Sequence, residues 1–188
     1  SFLMPAYSVS DTASADVSPD VDYTIIHYTQ NLNSSSYSKH GNSVTVKGLP
    51  GETLTLSSLS TAISGFSYSY GTANDVESTA VTIPQDGSLV IKLYYTRNSY
   101  TLTLAKDDGV DSVSGGGTFL YGEAVPIKAV LKSGYGWSGW KRNGYYGTYV
   151  GTQNTTITMP AENITLTATS SVLVNYTVNH YIKTPGSS

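Results

Sequence analysis

The chain has 188 residues, no cysteine, and a formal net charge of −3, with charged residues at only 12%. That length allows one or two domains, and the composition excludes disulfide staples and thiolate metal sites as well as the basic footprint of a nucleic-acid binder. Sixteen tyrosines and regular apolar alternation mark a chain that folds, since disorder needs high charge and few aromatics. No apolar run approaches the roughly 18 residues of a membrane span, so no membrane insertion of this segment is expected. No signal-peptide pattern opens the chain.

The first segment, Met4-Pro5-Ala6 with Val9 and Ala13, foreshadows Met159-Pro160-Ala161 with Ile164 and Ala168. Residues 1–21 therefore read as the tail strand of a preceding repeat plus a linker. Val21-Asp22-Tyr23-Thr24-Ile25-Ile26-His27-Tyr28 is the first strand of a module spanning 22–98, followed by a Ser/Lys/Gly/Asn loop that holds His40. Leu54 and Leu56 alternate with Thr53 and Thr55, the period of a half-buried strand. Residues 57–63 are the one plausible helical piece. Leu89, Ile91, Leu93 and Tyr95 share one parity and form the module's last strand. The joint at 94–100 contains neither Gly nor Pro, so one strand is expected to run almost directly into the next.

A second module, 99–171, opens on Tyr100-Thr101-Leu102, which matches Tyr23-Thr24-Ile25. Asp107-Asp108-Gly109 suits a hairpin turn, although clustered carboxylates at Asp107, Asp108 and Asp111 also keep open a weak cation site. Gly115-Gly116-Gly117 lacks the helix and lysine of a phosphate-cradling loop and reads as a turn or bulge in a hairpin. Val125, Ile127, Ala129 and Leu131 form a strand, as do Ile164, Leu166 and Ala168. Trp137 and Trp140 stand three apart and would face opposite sides of a regular strand. A bulge at Gly139 would bring them to one side, and at least one is expected in the core. Tyr145, Tyr146 and Tyr149 lie in a long hairpin tip, where exposed tyrosines beside Asn and Gly suit stacking on sugar faces; the alternative is a Tyr-rich strand that pairs with its neighbour or packs against the adjoining module. Residues 172–188 repeat the first strand: Val174-Asn175-Tyr176-Thr177-Val178-Asn179-His180-Tyr181 returns the opening motif. An unpaired strand at 174–183 would offer an edge for strand exchange.

Gly51-Glu52 corresponds to Gly122-Glu123, Ser64-Gly65-Phe66 to Ser133-Gly134-Tyr135, and Ile83-Pro84 to Met159-Pro160. One supersecondary plan is therefore expected twice, in modules of about 75 residues that are marginal but able to fold alone. The fold class expected is mainly β, a β-rich α+β arrangement of two small modules in tandem with little helix.

Chemistry is sparse. His27 and His180 occupy equivalent repeat positions and so belong to different modules; His40 has no acidic neighbour in sequence. An active site needs a nucleophile, a base and a charge stabiliser converging on a pocket; no Gly-x-Ser-x-Gly elbow occurs, no carboxylate pair announces itself in the sequence, and neither an enzyme nor a cofactor is expected. A self-formed Lys–Asn cross-link through Lys47, Lys92, Lys106 or Lys128 finds no pattern that selects a pair.

Val113-Ser114-Gly115-Gly116-Gly117-Thr118-Phe119, Tyr121-Gly122-Glu123, Gly134-Tyr135-Gly136-Trp137-Ser138-Gly139-Trp140 and Thr158-Met159-Pro160-Ala161-Glu162-Asn163-Ile164-Thr165-Leu166 together resemble the divergent form of the Listeria internalin B-repeat, over residues 100–170. Tyr23-Thr24-Ile25-Ile26-His27-Tyr28, Gly48-Leu49-Pro50-Gly51-Glu52-Thr53, Gly65-Phe66 and Leu93-Tyr94-Tyr95-Thr96 make 22–98 similar to a mucin-binding-protein (MucBP-like) repeat. Both resemblances imply small β-grasp-like modules, here two in tandem, of wall-attached surface proteins in Gram-positive bacteria. They imply an extracellular spacer or stalk segment of an adhesin whose partners are adjacent repeats, with host glycan or mucin binding as the alternative, and no catalysis.

Overall fold

The computed structural model describes residues 19–174, 177–180 and 186. The segment around Met4-Pro5-Ala6 lies outside the described residues, as do 175–176 and 181–183 of the terminal motif; Val174 and residues 177–180 are exposed and belong to no strand. The chain divides into two compact units. The first runs through Thr29, Ser38–Thr61 and Tyr68–Tyr95; the second takes Gln30–Tyr37, Ala62–Ser67 and the chain from Thr96 onward.

The first sheet follows from period-two alternation. It is built from β1 (Val21–Gln30), β2 (Tyr37–Gly48), β4 (Phe66–Ala73), β5 (Val76–Glu77) and β7 (Val90–Arg97), in the order β2-β1-β7-β4-β5. A separate antiparallel pair joins β3 (Thr53–Thr55) to β6 (Ala80–Thr82). The first and last strands, β1 and β7, are parallel neighbours from Thr24↔Val90 to Thr29↔Tyr95. Ile25, Ile91, Leu93 and Tyr95 fall on one parity and are buried. Leu56, fully buried, seats against this face because Gly71 leaves room: a Cβ at Gly71 would lie 2.7 Å from the Leu56 side chain and 3.2 Å from that of Leu93.

Two expectations are corrected here. The helical piece at 57–63 shrinks to one 3₁₀ turn, Leu56–Leu59. Ser58 Oγ donates to the Thr55 carbonyl and Ser60 Oγ to that of Ser57, each at 2.7 Å. Such local bonds compete with an α-helix in a segment too short to nucleate one. His40 sits in strand β2 rather than a loop. That strand is a sheet edge with a largely exposed, polar sequence, so no apolar alternation announces it.

The second unit repeats the plan. Strands β8 (Ser99–Lys106), β10 (Gly117–Leu120), β12 (Tyr135–Arg142) and β14 (Ile164–Val172) form a sheet ordered β10-β8-β14-β12. Again the first and last strands are parallel neighbours, from Ile164↔Leu102 to Ala168↔Lys106. A second sheet, ordered β13-β11-β9, comprises β9 (Val110–Ser114), β11 (Ala124–Leu131) and β13 (Thr155–Thr158). Leu102, Ile127, Trp140, Met159 and Leu166 fill the core. In both cases the sheet places an early strand outside the first strand, the last strand beside the first, and a middle strand beyond it. The fold is therefore mainly β, with the same β-grasp-like winding written twice and a single 3₁₀ turn as the only helix among the described residues.

Strands β8 and β9 lie in different sheets, as do β9 and β10. Hence Asp107-Asp108-Gly109 and the triple glycine are turns that carry the chain from one sheet to the other, not hairpin ends. Gly115 has φ +109, and a Cβ there would lie 2.2 Å from the Pro126 carbonyl oxygen. The glycine permits a close crossing of two backbones. At the tryptophans, the register of β12 against β14 shifts between Trp137 and Gly139, and Gly139 has φ +126. This bulge turns both rings to one side, where they meet edge to face at 5.5 Å. Trp140 is fully buried and Trp137 packs against the same core. Both indole N–H groups find carbonyls, Trp137 that of Gly151 at 2.7 Å and Trp140 that of Gln153 at 3.0 Å.

Candidate functional site

The segment after β12 does not project as a plain hairpin. The Tyr149 N–H donates to the Trp140 carbonyl and the Trp140 N–H to that of Val150, each at 2.8 Å, which folds the loop back on its own strand. Tyr149 is consequently half-buried against the core, beneath the Arg142 guanidinium at 5.4 Å. Tyr145 stands edge-on to Tyr149 at 5.9 Å and remains 59% exposed, while Tyr146 is fully exposed. The three tyrosines thus do not share one platform. Only Tyr145 reaches a shallow groove of about 500 Å³, whose walls include Lys141, Arg142 and the threonines 165, 167 and 169. Arg142 is bridged to Glu162 at 2.7 Å, which leaves Lys141 as the groove's uncommitted charge.

Asp107, Asp108 and Asp111 do not converge. No group of three His, Cys, Asp or Glu residues able to hold a metal ion exists among the described residues. Asp107 instead ties the β8–β9 turn to β14: its carboxylate accepts Ser170 N–H at 2.6 Å, Ser170 Oγ–H at 2.7 Å and Gly109 N–H at 3.1 Å. Burial pushes this carboxyl's pKa up, but the bonds from Ser170, Gly109 and Val110 outweigh it, and the net shift is downward. A depressed folded value means that the contribution is complete above the unfolded carboxyl's pKa, about 3.9, and is lost as pH falls through the folded value. Asp107→Ala should cost about 1–3 kcal/mol at neutral pH. Asp107→Asn should flatten the acid limb of the melting-temperature profile; an unchanged profile would discount the turn-fixing role.

His27 lies on the core side of β1. Its Nδ1 is 2.9 Å from Tyr95 Oη, which accepts the Thr61 N–H at 3.0 Å. Burial, with the His40 charge adding, pulls its pKa down from the usual imidazole value. The network ties β1 to β7 and to the segment at Thr61. Lys47 is engaged by the Asp22 carboxylate at 2.9 Å, Lys92 by that of Asp75, and Lys106 by the Asp111 carbonyl. None of these partners is an asparagine.

Two features escaped the sequence. Within the second unit, Arg97 is wedged between Phe66, 4.7 Å from its ring centroid, and Tyr121, 5.7 Å away, and donates to the carbonyls of Tyr121 at 2.6 Å and Gln30 at 3.0 Å. In the first unit a cleft of about 520 Å³ opens between β4 and the β3–turn junction, lined by Tyr68, Tyr70 and Glu77 among hydroxyl-bearing neighbours. The Tyr-Ser-Tyr alternation at 68–70 is its only local trace.

No helix among the described residues is long and apolar enough to cross a membrane. No curated protein and no solved structure matches the chain. Residues 100–171, the second module from its opening strand to the end of β14, match the divergent InlB B-repeat domain family.

Proposed function

We propose that the chain is a structural spacer, a stalk segment of an extracellular, wall-anchored bacterial adhesin built of tandem β repeats. The observation that carries this reading is the parallel pairing of first and last strands in both units. Tension applied through the chain pulls β1 and β7, or β8 and β14, along their length in opposite senses. The ladder between them is then sheared, so its hydrogen bonds bear load together instead of parting one at a time. The match of 100–171 to a repeat domain supports an array context, and adjacent repeats would be the natural partners. The role needs no catalysis and no cofactor.

Single-molecule pulling through the chain ends should give one rupture per unit. Handles at Thr24→Cys and Val90→Cys, register partners at the same end of the β1–β7 ladder, peel that ladder and should rupture the first unit at clearly lower force. Equal forces in the two geometries would remove the mechanical argument.

A second reading, recognition of host glycan or mucin at the 143–149 loop, is favoured by the full exposure of Tyr146 and the place of Tyr145 beside the Lys141 groove. Glycan-array binding that disappears in a Tyr145→Ala/Tyr146→Ala variant would support it; binding unaffected by that variant would not.

A further inference from the structure

We propose that Gly134, Val172 and Leu173 form a docking corner of the second unit. It seats a further β module joined directly after β14, through the residue that precedes that module's Gly-Glu turn. The corner gives a definite surface to the adjacent-repeat part of the spacer reading, on which it rests. The second unit contains such a corner twice, once covered and once not.

The covered corner is built by Gly65, Phe66 and Asn98. Phe66 N–H donates to the Ile63 carbonyl at 3.0 Å, and Asn98 N–H to the Gly65 carbonyl at 2.9 Å. Gly65 has φ +81 and is buried beneath the Tyr121 ring, which a Cβ at that position would overlap. Phe66 meets the same ring edge-on at 5.7 Å, and the Tyr121 N–H donates to the Asn98 carbonyl at 2.8 Å. Only glycine lets an aromatic ring lie this close to a backbone turned to positive φ. Tyr121 immediately precedes Gly122-Glu123, so the roof of this corner is the turn of a module that opens directly after Asn98.

Gly134, Tyr135 and Leu173 repeat these backbone bonds. Tyr135 N–H donates to the Lys132 carbonyl at 3.3 Å, and Leu173 N–H to the Gly134 carbonyl at 2.8 Å. Gly134 has φ +84, yet it is exposed, and among the described residues nothing lies within 4 Å of a Cβ built there. Leu173 stands in the place of Asn98 and Val172 in that of Arg97, and they are 58% and 66% exposed. The guanidinium that takes the Tyr121 carbonyl at 2.6 Å in the covered corner is thus replaced by aliphatic surface, which suits an aromatic or apolar roof and not a charged one. Adjacent exposed aliphatic side chains beside an uncovered glycine have the character of an interaction patch.

The sequence after β14 identifies the occupant. Val174-Asn175-Tyr176-Thr177-Val178 repeats Val21-Asp22-Tyr23-Thr24-Ile25, the opening of a module. A module joined there meets the corner at an effective concentration in the mM range, and in repeat arrays each unit is covered by its neighbour. A second copy of this chain is less suited, since its Tyr121 ring is already committed to its own Gly65.

The test appends a second copy of residues 99–188 in frame after Leu173 and isotope-labels residues 1–173 alone by segmental ligation. Relative to the 188-residue chain, the amides of 133–136 and 172–173 should shift, and the Gly134 Hα protons should show the displacement of a ring lying over them. Tyr121→Ala in the appended copy should abolish these shifts. Gly134→Ala in the labelled part should abolish the shifts at 172–173 by filling the space the ring needs, while the second unit stays folded because nothing crowds the added carbon. In the 188-residue chain the same amides should not move with concentration. Four outcomes would overturn the proposal: unchanged amides at 133–136 and 172–173, shifts that survive both substitutions, an appended copy that stays unfolded with the corner intact, or concentration-dependent shifts at both 133–136 and 49–52, which would assign the corner to a second copy. Rupture forces of the β1–β7 ladder are read independently of all four, so the mechanical reading and the docking corner fail separately.

Discussion

Trp140→Ala should unfold the second unit and spare the first. Trp140 is the largest fully buried side chain of its core, and its N–H satisfies the Gln153 carbonyl at 3.0 Å. Truncating such a ring costs about 3–5 kcal/mol through lost burial and the cavity left behind. A domain of this size holds only about 5–10 kcal/mol in all, so little remains. In an amide NMR spectrum the resonances of 99–172 should collapse toward random-coil positions while those of β1 and β7 stay dispersed. Trp137→Ala should cost less, since that ring is only partly buried against the core. A Trp140→Ala spectrum with dispersed signals from both units, melting within about 1 kcal/mol of the parent, would show that the core does not rest on this ring.

The second large effect is expected at a glycine. Gly115→Ala forces a Cβ to 2.2 Å from the Pro126 carbonyl oxygen at φ +109, and the obstacle is backbone, which cannot swing aside. The expected loss is about 3 kcal/mol or more. Gly134→Ala provides the comparison. It also has positive φ, +84, but nothing lies within 4 Å of the added carbon, so it carries only the conformational penalty of about 1 kcal/mol. Chemical denaturation of the two variants should separate them by at least about 2 kcal/mol. Equal losses would mean that the chain leaving β9 passes β11 less tightly at Gly115 than its geometry implies.

The parts of this fold legible in the sequence are those where burial imposes a period. Ile91, Leu93 and Tyr95 bury one face of β7, and Leu166 and Ala168 one face of β14, and their alternation gives both strands away. The paired motifs at Tyr23 and Tyr100 likewise begin strands of equivalent position. Where burial is one-sided or absent the pattern fades. The polar edge strand β2 reads as a loop, and the two-residue β5 gives no signal. Sheet membership is also silent, because a turn such as Asp107-Asp108-Gly109 looks alike whether the strands it joins pair or part. The same limit governs the sites. Tyr145, Tyr146 and Tyr149 are visible as a cluster, yet the bond from Tyr149 N–H to the Trp140 carbonyl, which buries one of them, depends on the loop folding back onto a strand whose bulge and packing no residue type in the loop announces. The cleft beside Tyr68 depends on Glu77 and Ser57 arriving from other strands and turns, which no local spacing records.

The parallel placement of opening and closing strands has a consequence for how such chains grow. A strand that leaves a unit in the direction in which the first strand came in delivers the polypeptide to the far side of that unit. Another copy of the coding segment can then be inserted without any return path having to be invented, and β7 ends only one residue, Asn98, before β8 begins. Had the two terminal strands run antiparallel, each duplication would have brought the chain back to its starting side, and a new connection would have been needed to escape it. Lengthening by simple gene duplication is thus compatible with this topology from the outset.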